Sequence, residues 1–297
     1  MEVCGTELRI RGALVRIARP DGDKYTFPED PEAIVAGLRK CGTRVDIFTF
    51  LQRLPETTPQ YPYHVEIDNL AVLPVSTFDN WWNNQIRSYP RNRARQAEKR
   101  GVVFREVPFG DQLIDGIRRI YNETPVRQGK RFPHYGMTAE QAREYAGTFL
   151  DRSIYIGAFV GETMIGFVKL VMDASRTQAC LVHILSMVQH KDKAPTNALI
   201  AQAVRACAAQ QISYLVYEHF HYGKKTGDSL SHFKEVNGFR RVDLPRYYVP
   251  LTPIGRVALR VGFHRRLVDR IPDSIATKAR DLRRAWYDRR FQMQTES

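Results

Sequence analysis

Between residues 153 and 250 the apolar positions fall into short runs separated by segments of helical spacing. The runs predict strands over 153–160, 164–172, 178–188, 212–217 and 244–250, with helices over 195–210 and 228–237. Gly161 and Glu162 supply a tight turn between the first two strands. The resulting order is a meander, a strand–helix–strand crossover, and a final helix and strand, which is an α/β arrangement around a mixed, mostly antiparallel sheet. Upstream, residues 7–27 alternate apolar and polar side chains about Pro20-Asp21-Gly22-Asp23 and predict a hairpin turning there. A helix follows from Pro31 to about Lys40, then strands over 45–51 and 65–75. Helical spacing from Thr77 to Arg100 is interrupted at Pro90, and Gly101 marks its end. A strand over 102–107 and helices over 110–122 and 138–151 complete the middle of the chain. From Leu251 onward two basic amphipathic helices are expected. Three units are therefore expected: a reduced α/β unit over 1–75, a main domain over 76–250 and a helical tail over 251–297.

Composition narrows the class. The 297 residues are 43% hydrophobic, enough for a sizeable core, and the four cysteines are scattered without CxxC pairs or a His cluster at metal spacing. No metal and no disulfide frame are expected. Charge near Met1 and the lack of any 18-residue apolar run point to a cytoplasmic protein. The net charge of +13 is unevenly placed: residues 1–75 hold 9 Lys and Arg against 11 Asp and Glu, residues 251–297 hold 11 against 5. Such polarity suits an anionic partner, whether tRNA, a pyrophosphate-bearing precursor or the acidic inner face of a membrane.

Three stretches together resemble the FemAB-like branch of the GNAT acyltransferase superfamily: the basic helix Arg91–Val102, the proline-opened helix start Lys193–Leu199, and Ser231–Phe239 with its Phe-Lys element before Gly238 and Phe239. The resemblance implies a GNAT-like sheet flanked by helices. It implies an N-acyltransferase or aminoacyltransferase that modifies an amino-sugar or peptide-bearing envelope or polysaccharide precursor, with aminoacyl-tRNA or acyl-CoA as donor. An acyl-CoA-dependent N-acetyltransferase and a non-catalytic RNA-binding scaffold of the same shape are the competing readings. By the same resemblance Lys234 would steady an oxyanion, with Phe233 packing beside it, although the dipole of a helix end alone also favours a Lys there.

Three further places carry candidate chemistry. The strand ending at 217 runs into Tyr217-Glu-His-Phe-His-Tyr222, and open α/β sheets hold ligands at such ends. Glu218, His219 or His221 can take a proton there, with Tyr217 and His221 also placed to touch substrate. The loop 124–136 gathers Arg127, Arg131, His134 and Tyr135, a set suited to a carboxylate, phosphate or sugar. The turn 189–195 has no glycine where acetyl-CoA enzymes of this fold cradle a pyrophosphate, and Pro195 removes one N–H. That absence counts against ordinary CoA binding, with Lys191 and Lys193 as the cations left to meet phosphate. The arginines of the tail, on a helix with an apolar face, raise peripheral contact of 251–291 with an anionic membrane.

Overall fold

A computed structural model describes residues 1–127, 129–222 and 229–265. Strands β1 (Glu2–Val3), β2 (Thr6–Arg11) and β3 (Ile17–Pro20) precede helix α1 (Pro31–Lys40), then β4 (Ile47–Leu51) and β5 (His64–Pro74). The Asp30 side chain caps α1 by accepting from the Ala33 N–H, and Pro31 opens its first turn, as the sequence implied. The first hairpin does not turn at Pro20-Asp23. Its loop is 12–16, and Pro20 closes β3. The apolar pair Leu14 and Val15 disguised that loop as strand; Leu14 is 84% exposed.

A short helix α2 (Phe78–Asn80) runs through a π-turn at Trp81–Gln85 into α3 (Ser88–Lys99). The break falls at Ile86 and Arg87 instead of at Pro90, which sits in the first turn of α3, where its missing N–H costs nothing. Next come β6 (Val103–Glu106), α4 (Asp111–Tyr121), the small hairpin β7 (Val126–Arg127) and β8 (Lys130–Arg131), and α5 (Ala139–Ala146). α5 stops at Gly147, five residues or so before the expected end. Then β9 (Ser153–Val160), β10 (Thr163–Met172), β11 (Gln178–Ser186), α6 (Pro195–Ala209), β12 (Tyr214–His219), α7 (Ser229–Val236), β13 (Arg240–Pro250) and α8 (Pro253–Arg260) follow the predicted order. The second tail helix lies outside the described residues.

Eleven strands form one mixed, mostly antiparallel sheet in the order β1-β2-β3-β4-β13-β5-β12-β11-β10-β9-β6. β13 threads between β4 and β5, so the strands of the first 75 residues join the later ones in one sheet. α6 buries Leu199, Ile200 and Val204, and α4 buries Leu113, Ile117 and Ile120, in the main core against β9–β11. Trp81 is wholly buried there, its indole N–H donating to the Asn237 carbonyl at 2.9 Å. No helix among the described residues is long and apolar enough to cross a membrane.

The parallel pair β11·β12 is the feature that makes a site. Pairing runs only from Gln178–Cys180 to Tyr214–Val216. β11 then continues alongside β10 as far as Ser186, while β12 follows β5 as far as His219, and the two strands diverge. Each is bulged where they part: Val182 is the extra residue on β11, and β12 shifts register between Val216 and His219. An extra residue bends its strand and re-aims the side chains around it.

Candidate functional site

The gap between the diverging strands holds a cavity of about 190 Å³. Leu181 and His183 line it from β11, Tyr217 and Glu218 from β12, Phe167 from β10, and Tyr121, Phe132 and His134 close it from α4 and the loop after it. His134 lies flat on Tyr121, with ring centroids 4.7 Å apart and planes at 21°, and meets Tyr145 of α5 at 4.7 Å. Tyr145 in turn lies 4.9 Å from the ring of His183. Among the described residues, His134 Nδ1 and the Tyr121 hydroxyl are buried without a hydrogen-bond partner. Buried polar atoms are nearly always paired, so these two point to a polar ligand in the cavity.

Burial sets the protonation of the wall. It lowers His134 below the ordinary histidine range. It takes His183, helped by Lys169 and His134, down to about 3, and it pushes Tyr217 up to about 12 with Glu218 adding to the effect. At neutral pH the cavity therefore presents neutral imidazoles and phenols, with Glu218 at its edge.

Beneath the wall, Tyr155, Lys169 and His183 stand in register across β9, β10 and β11. Lys169 is fully buried and donates to the Ala146 carbonyl at 2.8 Å, to the Thr148 hydroxyl at 3.0 Å and to the Thr148 carbonyl. Its ammonium thus caps the carbonyl end of α5, the favourable end of a helix for a cation, and burial draws its pKa down to about 8. This clamp fixes Tyr145 against His134 and His183. Replacing Lys169 with Met removes three donated bonds, although the Ala146 carbonyl keeps the Tyr155 hydroxyl and the Thr148 carbonyl keeps Ser153 Oγ, and is expected to lower stability by about 1–3 kcal/mol in urea unfolding.

A second prediction concerns pH. His183 titrates near 6.5 when unfolded and near 3 when folded, so the unfolded chain binds the extra proton first. Its contribution is complete above about pH 6.5 and is lost as pH falls toward 3. His183→Leu is expected to flatten that acid limb in pH-dependent thermal unfolding.

Glu218 has the backbone that ties the site together. Its φ of +52° is in the left-handed region, which a non-glycine residue adopts at a cost, and it sits in the β12 bulge. Its carboxylate pairs with Lys24, whose carbonyl accepts from Gln178 Nε2 at 2.8 Å. The segment 20–27 thereby reaches across to the mouth of the cavity.

The other expected residues divide clearly. Lys234 is fully buried in the last turn of α7. It donates to the His219 carbonyl, with its Nζ 4.7 Å from the Tyr217 ring and 4.8 Å from the Tyr222 ring. It stands behind Tyr217, one side chain from the cavity. Phe233 packs on the main core. Burial, aided by Lys24, lowers the pKa of His219, and its ring meets Tyr222 edge-on. His221 bonds Ser231 Oγ at 3.1 Å, and its N–H bonds Asn69, which fastens it to α7 and β5 away from the cavity.

In the 124–136 loop only His134 enters the cavity. Arg127, expected to grip a substrate anion, is committed to the protein instead: it pairs with Glu123 at 2.9 Å, donates to the carbonyls of Ser186 and Ile120, and lies over the Phe132 ring. Arg131 and Tyr135 are exposed outside the cavity wall. Lys191 is exposed, and Lys193 faces Asp192 at 3.6 Å. In the same turn the N–H groups of Val188 and Gln189 donate to the Glu123 carboxylate at 2.7 and 2.9 Å. Arg93 and Arg100 hold the turn through the carbonyls of Lys191 and Asp192, a structural use of the basic helix.

Sequence reading passed over Tyr121, Tyr145, Lys169 and His183. A signal existed for the last two, since each is a lone polar residue inside an apolar strand. One further group assembled across the chain: His64, Glu66 and His264 have potential ligand atoms within 4.8 Å of one another, a proximity no spacing reveals. Arg265 shares the Glu66 oxygen at 2.9 Å, so the group latches the segment just after α8 onto β5.

No protein-family model matches the chain, and no curated protein does. Solved structures do. L-PGS from Bacillus licheniformis matches at 12% identity with a TM-score of 0.54, over 86% of this chain and 84% of that one. The C-terminal domain of a putative lysylphosphatidylglycerol synthetase from Agrobacterium fabrum matches at 12% identity and 0.53, over 85% and 83%. FemX matches at 10% identity and 0.48, where this chain covers 61% of its length, and that likeness carries no weight.

Proposed function

We propose that this chain is an N-acyltransferase or aminoacyltransferase of GNAT-like fold and FemAB-like type, acting on an amino-sugar or peptide-bearing envelope or polysaccharide precursor. The fold neighbours support acyl or aminoacyl transfer in general. The observation that carries the reading is the cavity between β11 and β12, with two buried polar atoms unmatched and Glu218, on a left-handed backbone, at its edge.

An acceptor amine in the cavity would attack the acyl carbonyl and lose its proton to Glu218. The tetrahedral oxyanion would then collapse with cleavage of the bond to the donor, whose leaving atom takes up a proton. Lys234 would lend positive charge behind Tyr217 and hold the end of β12 through His219. His134 and Tyr121 would orient the acceptor.

For the donor, aminoacyl-tRNA is favoured over acyl-CoA. The Glu123 carboxylate, itself paired with Arg127, already accepts from two N–H groups of the turn that would otherwise face a pyrophosphate, so those donors are taken. An acceptor carried on a lipid would bring the protein to an anionic membrane face.

The test is a mass-shift assay with purified protein, offering charged tRNA or acyl-CoA to amino-sugar nucleotides and peptide amines. Transfer from charged tRNA supports the reading. Transfer only from acyl-CoA, together with a rise in melting temperature on adding CoA esters, replaces it with the acetyltransferase reading. Salt-sensitive RNA binding without transfer replaces it with the scaffold.

A further inference from the structure

We propose that the hairpin loop 12–16 and helix α8 together form a surface that docks on an anionic phospholipid bilayer. The two segments are far apart in sequence, and the fully buried Asp46 joins them. Its carboxylate accepts from the Arg16 N–H at 2.9 Å and from the Thr252 hydroxyl, the cap of α8, at 2.7 Å. Arg44 bridges Asp46 and the Leu14 carbonyl at 3.0 Å, fixing the loop tip beside them.

α8 lies on the body by its small residues. Ala258 is buried, and a Cβ on Gly255 would stand 1.9 Å from the Asp46 carbonyl oxygen, so no larger side chain fits that contact. The far end is held by His264 and Arg265 on Glu66. Pinned at both ends, the helix turns its apolar stripe outward: Ile254 is 49% exposed, Val257 62% and Val261 55%. Leu14 at the hairpin tip is the most exposed large apolar side chain described, at 84%. Apolar side chains clustered in this way at one end of a protein mark a contact surface.

Charge identifies the occupant. Residues 9–19 contain four arginines and no acid, and residues 251–265 contain three arginines and no acid. Arg9, Arg19 and Arg265 are paired with Asp21, Asp23 and Glu66, which leaves Arg11, Arg16, Arg256 and Arg260 to give these apolar side chains a basic surround, a match for an anionic lipid surface and a mismatch for a second copy of the same basic face. Across the sheet, β13 and β5 separate this surface from the β11–β12 cavity. The inference goes beyond the transferase reading and stands or falls separately from it.

The test is co-sedimentation of the full chain with vesicles of phosphatidylcholine alone and of phosphatidylcholine mixed with phosphatidylglycerol. Binding only to the mixed vesicles, weakened by salt, is expected. The Leu14→Asp, Val257→Asp double variant is expected to lower the bound fraction about tenfold or more, with the melting temperature unchanged because both side chains face solvent. Transfer to a water-soluble acceptor should be unaffected. Equal binding to both vesicle types, or to neither, overturns the proposal. A fall in melting temperature in the variant would show that residues 266–297 cover the face, and a concentration-dependent dimer abolished by Val257→Asp would show that a second copy does; either result also overturns it.

Discussion

Replacing Arg246 with Met is expected to destabilise the fold by about 3–5 kcal/mol, because it strands two carboxylates in the interior without their cation. The Arg246 side chain is only 9% exposed and lies between Asp23 at 3.0 Å and Asp68 at 2.8 Å. Burial alone would raise the Asp23 pKa, but Arg246, Lys24 and Arg19 together hold it below the ordinary carboxylate range. The stability from that carboxylate is complete above the ordinary aspartate pKa and is lost as pH falls through the depressed value. Denaturant titration at neutral pH measures the first effect. Adding Asp23→Asn and Asp68→Asn to the Arg246→Met background should recover most of the loss, since the penalty comes from unpaired charge. No recovery would mean that packing, not charge, holds the junction. Asp23 also anchors the segment that carries Lys24 to Glu218, so Arg246→Met should lower activity even under conditions where the protein stays folded.

Glu218→Gln is expected to reduce turnover by about 10²–10⁴-fold, the range for loss of a general base, while the fold is retained. The Glu218 side chain is 41% exposed but its partner Lys24 only 14%, and the glutamine amide oxygen still offers that ammonium an acceptor, so the change is expected to cost no more than about 1–2 kcal/mol. Glu218→Gly gives the sharper contrast. A glycine accepts a φ of +52° without the steric cost that glutamate bears. Relief of that strain offsets part of the loss of the Lys24 ion pair, so the variant should stay within about 1–2 kcal/mol of the parent in stability and still lose activity. Steady-state kinetics and thermal unfolding on the same preparations check both halves. If Glu218→Gly keeps its turnover, the bulge serves the backbone alone and another group takes the proton.

Both residues show where sequence reading reaches its limit. Arg246 reads as one more polar residue in a terminal strand, yet β13 is inserted between β4 and β5, and that placement surrounds it with acids from distant segments. Glu218 was named as a base from its place at a strand end, but its strain was not legible, because the predicted strand stopped at 217 and the bulge carries β12 on to His219. Arg127 shows a related limit. Its composition suits anion binding, and only the folded chain brings Glu123 and the end of β11 within its reach.

What the sequence determined by itself is local. The Gly161 turn, the proline-opened helices at Pro31 and Pro195, and the strand and helix order from 153 to 250 follow from backbone preference and hydrophobic period, which act over a few residues. Together with three short motif-like stretches they were enough to identify the fold. The tertiary structure decided the rest: which strands part, which polar side chains are buried, and whether the apolar stripe of α8 faces the body or the solvent. Those outcomes depend on contacts between residues tens to hundreds of positions apart, and the free energy of a buried charge or an exposed valine is set by the neighbours that folding supplies.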